Sequence, residues 1–320
     1  MTAQTPSNSR APSHVLAPSN DRILRGVVMM IAFCLIAPLI DIASKLAVQT
    51  VPVSAVTMAR FLVQGVLMAP VMLVLRVSLR LSARAMHILF WRALVSIMST
   101  WCFVAAVQVM PVADALAIAF VEPFIILLIG KLVMEEQVGP RRLGAAIVGF
   151  GGSLLVIQPS FAHFGWVALF PLGTALAFAL YILITRHLSH QMAPEPMQFH
   201  TAWIAALILV PVLWLADGSG IAGLDPAWPT GIAWLWTFGV GLAATVSHMF
   251  ISYGLRYAPS STLAPLHYLE IVMAVTLGYL VFGTFPNLMT WAGIAIITAS
   301  GLYVIHRERL AHRSLASRLQ

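Results

Sequence analysis

The chain has 320 residues, of which 60% are hydrophobic and only 9% are charged, and its formal net charge is +7. A soluble domain carries nearer a quarter of charged residues because its surface faces water, so this chain has too few polar residues to coat a soluble globule of its size. Its basic residues stand singly or in small groups between apolar runs, unlike the clustered basic face of a nucleic-acid binder, and as the loops of a membrane protein carry them.

Residues 1–21 are rich in Ser, Pro, Ala and Asn without apolar periodicity, and 1–25 reads as a disordered cytoplasmic tail. The first apolar run has the length of a full span, and no small-residue cleavage site closes a shorter one, so a signal peptide is not expected. Ten apolar runs of spanning length follow, at 26–46, 54–75, 86–108, 112–133, 142–158, 166–185, 197–216, 231–254, 260–281 and 287–305. The longest connection, 217–230, holds Gly218, Gly220, Gly223, Pro226 and Pro229, which are turn residues. Residues 307–320 read as a second cytoplasmic tail. The expected fold is all-α: a polytopic membrane protein with ten transmembrane helices.

Orientation follows from Lys and Arg. With the N-terminus inside, the inner segments hold Arg10, Arg22 and Arg25; Arg76, Arg80 and Arg84; Lys131, Arg141 and Arg142; Arg186; Arg256; and Arg307, Arg309, Arg313 and Arg318, and the outer side holds only Lys45. Both termini are then expected in the cytoplasm of a bacterium, with the chain in its inner membrane. Trp166, Trp214 and Trp228 fall at outer edges, as an aromatic belt requires.

A repeat runs through the sequence at an offset of 148 residues. Pro111 falls on Pro259, Glu122 on Glu270, and Leu154–Ile157 on Leu302–Ile305. Five spans per half is an odd number, so the second half enters the membrane inverted. Each Glu lies about 16 Å into its helix at 1.5 Å per residue, near the midplane, and the two reach that depth from opposite faces. Inverted repeats with polar groups meeting at the midplane are the plan of secondary transporters.

With these residues in hand, the chain resembles the drug/metabolite transporter superfamily, EamA type. Two stretches carry the likeness. One is Met110–Ala115 through Pro123 to Glu135, Glu136 and Arg142–Gly144; the other is Pro259–Glu270, Gly278, Tyr279, Pro286, Trp291–Gly293 and Ser300–Tyr303. The sequence departs from the pattern at Gly283–Thr284, where many members carry Gly-Glu. The resemblance implies two EamA repeats, 26–158 and 166–306, around a central cavity. The tract from Arg92 to Asp114 with the paired glutamates looks most like the branch that includes bacterial riboflavin and S-adenosylmethionine transporters. That likeness implies a small-molecule substrate, riboflavin first, taken up by alternating access. An amino-acid or S-adenosylmethionine transporter, and a membrane scaffold or sensor, are the alternatives.

Glu122 and Glu270 lead the candidate substrate- or proton-binding residues, because a carboxylate within a span must face a cavity or a partner. Arg60, always charged, needs the same. Asp41 stands four residues before Lys45, the spacing of a helical ion pair. Arg92, near an inner end, is placed to snorkel to the headgroups. Asp114 suits the positive end of the fourth helix. His248 and His200 could relay protons, and Tyr181, Trp203 and Tyr268 could stack on an aromatic substrate. Cys34 and Cys102 read as small apolar residues. His187 and His190 lack a third ligand, so no metal and no cofactor is expected. The absence of His-Glu-x-x-His, Gly-x-Ser-x-Gly and Gly-x-x-x-x-Gly-Lys-Ser/Thr patterns argues against an enzyme or an ATP-driven pump.

Overall fold

The computed structural model describes residues 20–77, 80–133, 140–221, 223–283 and 285–316. Glu135, Glu136, Thr284 and most of the N-terminal tail lie outside them. Among the described residues every regular element is helical. In hydrocarbon no water satisfies the backbone, and a helix closes its hydrogen bonds within one segment.

The elements are α1 (Asn20–Ala47), α2 (Val53–Val74), α3 (Ala83–Val109), α4 (Val112–Ala119), α5 (Glu122–Val133), α6 (Pro140–Phe164), α7 (Phe170–Leu188), α8 (Pro194–Ala216), α9 (Ala233–Tyr257), α10 (Ser260–Leu263), α11 (Tyr268–Phe282) and α12 (Leu288–Ala316). Short 3₁₀ turns cover Gly165–Leu169 and Ala264–His267. Helix α1 begins, and α12 ends, within the stretches expected as tails. Their Arg-, Leu- and Ala-containing ends are good helix formers and need not stop where the apolar run stops.

Seven described segments are long and apolar enough to cross a membrane, among them Val112–Val133 and the 46-residue Leu143–Leu188. Tyr268–Phe282 and Leu288–Ser300 are shorter apolar helices. The 46-residue segment is not one rod: Gly165, at φ 62°, and the 3₁₀ turn part α6 from α7. The exterior of the bundle is apolar, with Leu73, Leu280 and Leu288 largely exposed, as a lipid-facing surface must be. Trp166, Trp214 and Trp228 stand out from it.

The main packing partners are α1 with α9, α3 with α7, α2 with α8, and α6 with α12; α2 also meets α9, α3 meets α8, α1 meets α11, and α5 meets α7. Small residues set the closest approaches. A Cβ on Gly152 would lie 3.0 Å from the Gly293 carbonyl oxygen on α12, and one on Gly241 would lie 2.4 Å from the Val63 Cβ on α2.

Two expected spans are broken. The fourth parts at Phe120–Val121 into α4 and α5, and the ninth passes through the 3₁₀ turn between α10 and α11. Pro123 and Pro265 each lack the N–H that would continue the helix behind them. Glu122 is the first residue of α5 and Glu270 the third of α11, so each matched Glu lies in the first turn after a break. The matched prolines also share a conformation. Pro111 (φ −58°, ψ 145°) precedes α4, and Pro259 (φ −59°, ψ 149°) precedes α10.

Candidate functional site

A cavity with an empty volume of about 780 Å³, its open mouth included, sits between α1, α3, α4 and α7. It reaches about one turn from the Ala47 end of α1 at Ser44, from the Val112 end of α4 at Leu116, and from the Phe170 end of α7 at Thr174. At the far end of the cavity stand the broken helices.

Five sequence candidates meet on its wall: Asp41 from α1, Arg60 from α2, Glu122 from α5, His248 from α9 and Glu270 from α11. Each is at most 9% exposed. Asp41, Glu122 and Glu270 all line this one cavity, so the two glutamates stand on a common wall. The first-turn position of each glutamate is favourable in itself, because a half-helix N-terminus carries partial positive charge. Glu122 Oε2 lies 3.3 Å from His267 Nδ1, while its Oε1 has no partner. Asp41 Oδ2 and Arg60 Nε are likewise buried without a hydrogen-bond partner. Phe33, Phe103, Phe120 and Phe178 supply aromatic wall. Ser96, Ser99 and Thr100 supply a hydroxyl stripe on α3.

Behind Arg60 lies a buried polar chain. Arg60 Nη2 is 3.1 Å from His248 Nε2, and His248 Nδ1 is 2.8 Å from the Tyr181 hydroxyl. Arg92 Nη2 donates to that hydroxyl at 2.6 Å and Arg92 Nε donates to Thr185 Oγ1 at 2.8 Å. Gln198 braces the chain, donating to the His248 carbonyl and to Ser252 Oγ, both at 2.8 Å. A guanidinium can only donate. His248 Nε2 therefore accepts, its hydrogen sits on Nδ1, and it donates to Tyr181.

Arg92 does not snorkel. It is fully buried, its guanidinium carbon lies 4.3 Å from the Tyr181 ring centroid, and it reaches sideways to α7 and α8 rather than down to the headgroups. Lys45 makes no ion pair with Asp41. Its Nζ donates to the carbonyls of Val107 and Met110, at 2.8 and 3.0 Å, which end α3 and lack helical donors of their own. Asp41 is left to the cavity. Asp114, in the first turn of α4, accepts from Thr290 Oγ1 at 3.0 Å.

Tyr181 is held behind the wall, stacked on Phe178 with ring planes 9° apart. Tyr268 packs on Phe120 beside the cavity. Trp203 lies elsewhere, on α8, with its ring against Gly65 and Phe199. His200 is its near neighbour in the chain and its Nε2 has no partner. Sequence reasoning missed Phe33, Phe178, His267 and the α3 stripe. The stripe had a signal: polar residues three and four apart in an apolar span share one helix face.

Comparison with known proteins places this architecture. The sequence model of the EamA-like transporter family matches residues 24–158 and again 165–305. The chain belongs to that family. A riboflavin transporter of Rhizobium johnstonii is 30% identical over 228 residues, 70% of this chain and 72% of that protein. A riboflavin transporter of Vibrio cholerae is 26% identical, over 80% and 84% of the two chains. An S-adenosylmethionine uptake transporter of Rickettsia prowazekii is 22% identical, over 89% and 94%. A solved crystal structure of a protein aligns at TM-score 0.63 over 94% of this chain and 99% of its own, with 19% identity, which is a likeness in fold.

Proposed function

We propose that this EamA-family transporter takes up riboflavin across the bacterial cytoplasmic membrane. Ten spans form two inverted repeats, 26–158 and 166–306, with both termini inside. The observation that carries the reading is the single cavity on which Glu122, Glu270, Asp41 and Arg60 meet among phenylalanines, in a chain 30% identical to a riboflavin transporter. A planar aromatic ring system with a polar edge suits such a wall, apolar with a few convergent polar groups.

The repeat is supported by the packing. Under the 148-residue offset α1, α2, α3, α4–α5 and α6 fall on α7, α8, α9, α10–α11 and α12. The pair α1/α9 then falls on α7/α3, α2/α9 on α8/α3, and α1/α11 on α7/α5, and every one of these pairs is in contact. The pairs α2/α8 and α6/α12 map onto themselves. An axis lying in the membrane would relate the halves in this way.

In alternating access the two halves rock about the midplane carboxylates. The cavity here reaches toward the ends of α1, α4 and α7 that the Lys/Arg bias makes outer, while Arg92 and Tyr181 lie behind its wall, Arg92 bonded to Tyr181 and Tyr181 to His248 on it. Inward opening requires α3 to part from α7 and α8, across which Arg92 is bonded. S-adenosylmethionine is the second reading, favoured by three carboxylates against one arginine on the wall, a balance that suits a cation. Uptake of labelled riboflavin and labelled S-adenosylmethionine by cells lacking their own importers tests both. Saturable riboflavin uptake supports the first reading; S-adenosylmethionine uptake alone overturns it in favour of the second.

A further inference from the structure

Resting on the riboflavin reading, we propose that Arg60 and Asp41 grip the substrate by one edge carrying a carbonyl acceptor beside an N–H donor, the imide edge of the isoalloxazine ring. The two side chains, a guanidinium and a carboxyl group, stand on one cavity wall. Each is at least nine-tenths buried. Yet they do not close into an ion pair, and each keeps an unsatisfied atom, Arg60 Nε and Asp41 Oδ2. Buried polar atoms are nearly always hydrogen-bonded, so each of these two calls for a partner.

The chemistry of the missing partner follows from what each atom can do. A guanidinium N–H accepts nothing and needs an acceptor; a carboxylate oxygen needs a donor. A ligand bringing only acceptors, or only donors, leaves one of the two unsatisfied. An edge with C=O next to N–H satisfies both. In riboflavin that edge is C4=O and N3–H.

Arg60 is held ready for it. Its Nη2 is fixed on His248 Nε2, and its guanidinium carbon lies 4.9 Å from the Phe61 ring centroid. His248 is in turn fixed by Tyr181, and Tyr181 by Arg92. The chain orients the guanidinium while leaving Nε free. His248, Tyr181 and Arg92 are thus positioning residues, and Arg60 and Asp41 the contacting ones.

The test is competition against labelled riboflavin uptake by the full chain. The competitors are riboflavin methylated at N3, which lacks the donor, and riboflavin altered at C8, which keeps the edge. The proposal expects N3-methylriboflavin to compete at least about tenfold more weakly than the C8 derivative, since a site built around a hydrogen bond rejects the analogue lacking it. In Asp41→Ala, or in Asp41→Leu should Ala impair insertion, nothing accepts the N3–H and the ratio between the two competitors narrows toward one. Equal competition in the parent protein overturns the edge while leaving riboflavin transport standing. A ratio that stays tenfold in the Asp41 variants also overturns it. No riboflavin uptake at all overturns both the edge and the substrate reading, and leaves only family membership.

Discussion

Replacing Arg92 by Met separates what the buried polar chain does for stability from what it does for transport. Arg92 makes three short bonds to neutral oxygens, on Tyr181, Thr185 and Thr201, and no described carboxylate balances its charge. Hydrogen bonds to a charged group are worth about 1.5–3 kcal/mol each in soluble proteins, and interhelical polar contacts in membranes average about 0.6 kcal/mol. Against this stands a desolvation cost of several kcal/mol for a buried ion, which well-packed apolar replacements of similar volume often recover. The terms nearly cancel. Arg92→Met keeps the volume and is expected to shift stability by no more than about 2 kcal/mol, a few degrees in melting temperature. Transport responds otherwise, because Tyr181, His248 and Arg60 lose their anchor. The expected rise in KM is about tenfold, equivalent to about 1.4 kcal/mol. Detergent-solubilised thermal melts monitored by size exclusion, with uptake kinetics on the same variant, read both quantities. A melting temperature lowered by more than 10 °C, or an unchanged KM, would refute the reasoning.

Gly241→Ala places a Cβ 2.4 Å from Val63 Cβ. It is expected to cost about 1–3 kcal/mol by overpacking, read as a lower melting temperature, with Gly144→Ala, which meets nothing within 4 Å, as the unaffected control. Lys45→Met strands the Val107 and Met110 carbonyls and is expected to cost about 1–3 kcal/mol without changing substrate selectivity, as thermal melts and uptake competition will show. Arg60→Met leaves the cavity without its guanidinium and is expected to lower riboflavin uptake at least tenfold at equal expression. Retained uptake would remove Arg60 from the site.

Much of the helical order was legible because lipid imposes a simple rule: long apolar runs become helices, and α2, α3, α8 and α9 begin and end within about three residues of the runs at 54–75, 86–108, 197–216 and 231–254. The breaks in the fourth and ninth runs were not read, although Pro123 and Pro265 mark them, because hydropathy averages over a break that stays apolar. Asp41, Arg60, Glu122, His248 and Glu270 were each conspicuous as polar residues in apolar runs. Their meeting on one wall is a fact of packing between α1, α2, α5, α9 and α11, which no single run encodes. The reading of Arg92 failed for a related reason. Snorkelling is what a lone helix would do, and the hydroxyls that hold Arg92 come from α7 and α8, far away in the chain. The spacing of Asp41 and Lys45 suggested a pair, but α3 ends beside Lys45 and its bare carbonyls compete successfully for the ammonium.

Labelled riboflavin uptake in a bacterium that neither makes nor imports the vitamin tests the central claim most directly, with the parent chain beside Glu122→Gln and Glu270→Gln. Saturable uptake by the parent, lost in both variants at unchanged membrane expression, is the predicted result. Uptake that survives both substitutions, or no uptake by the parent, would contradict the account.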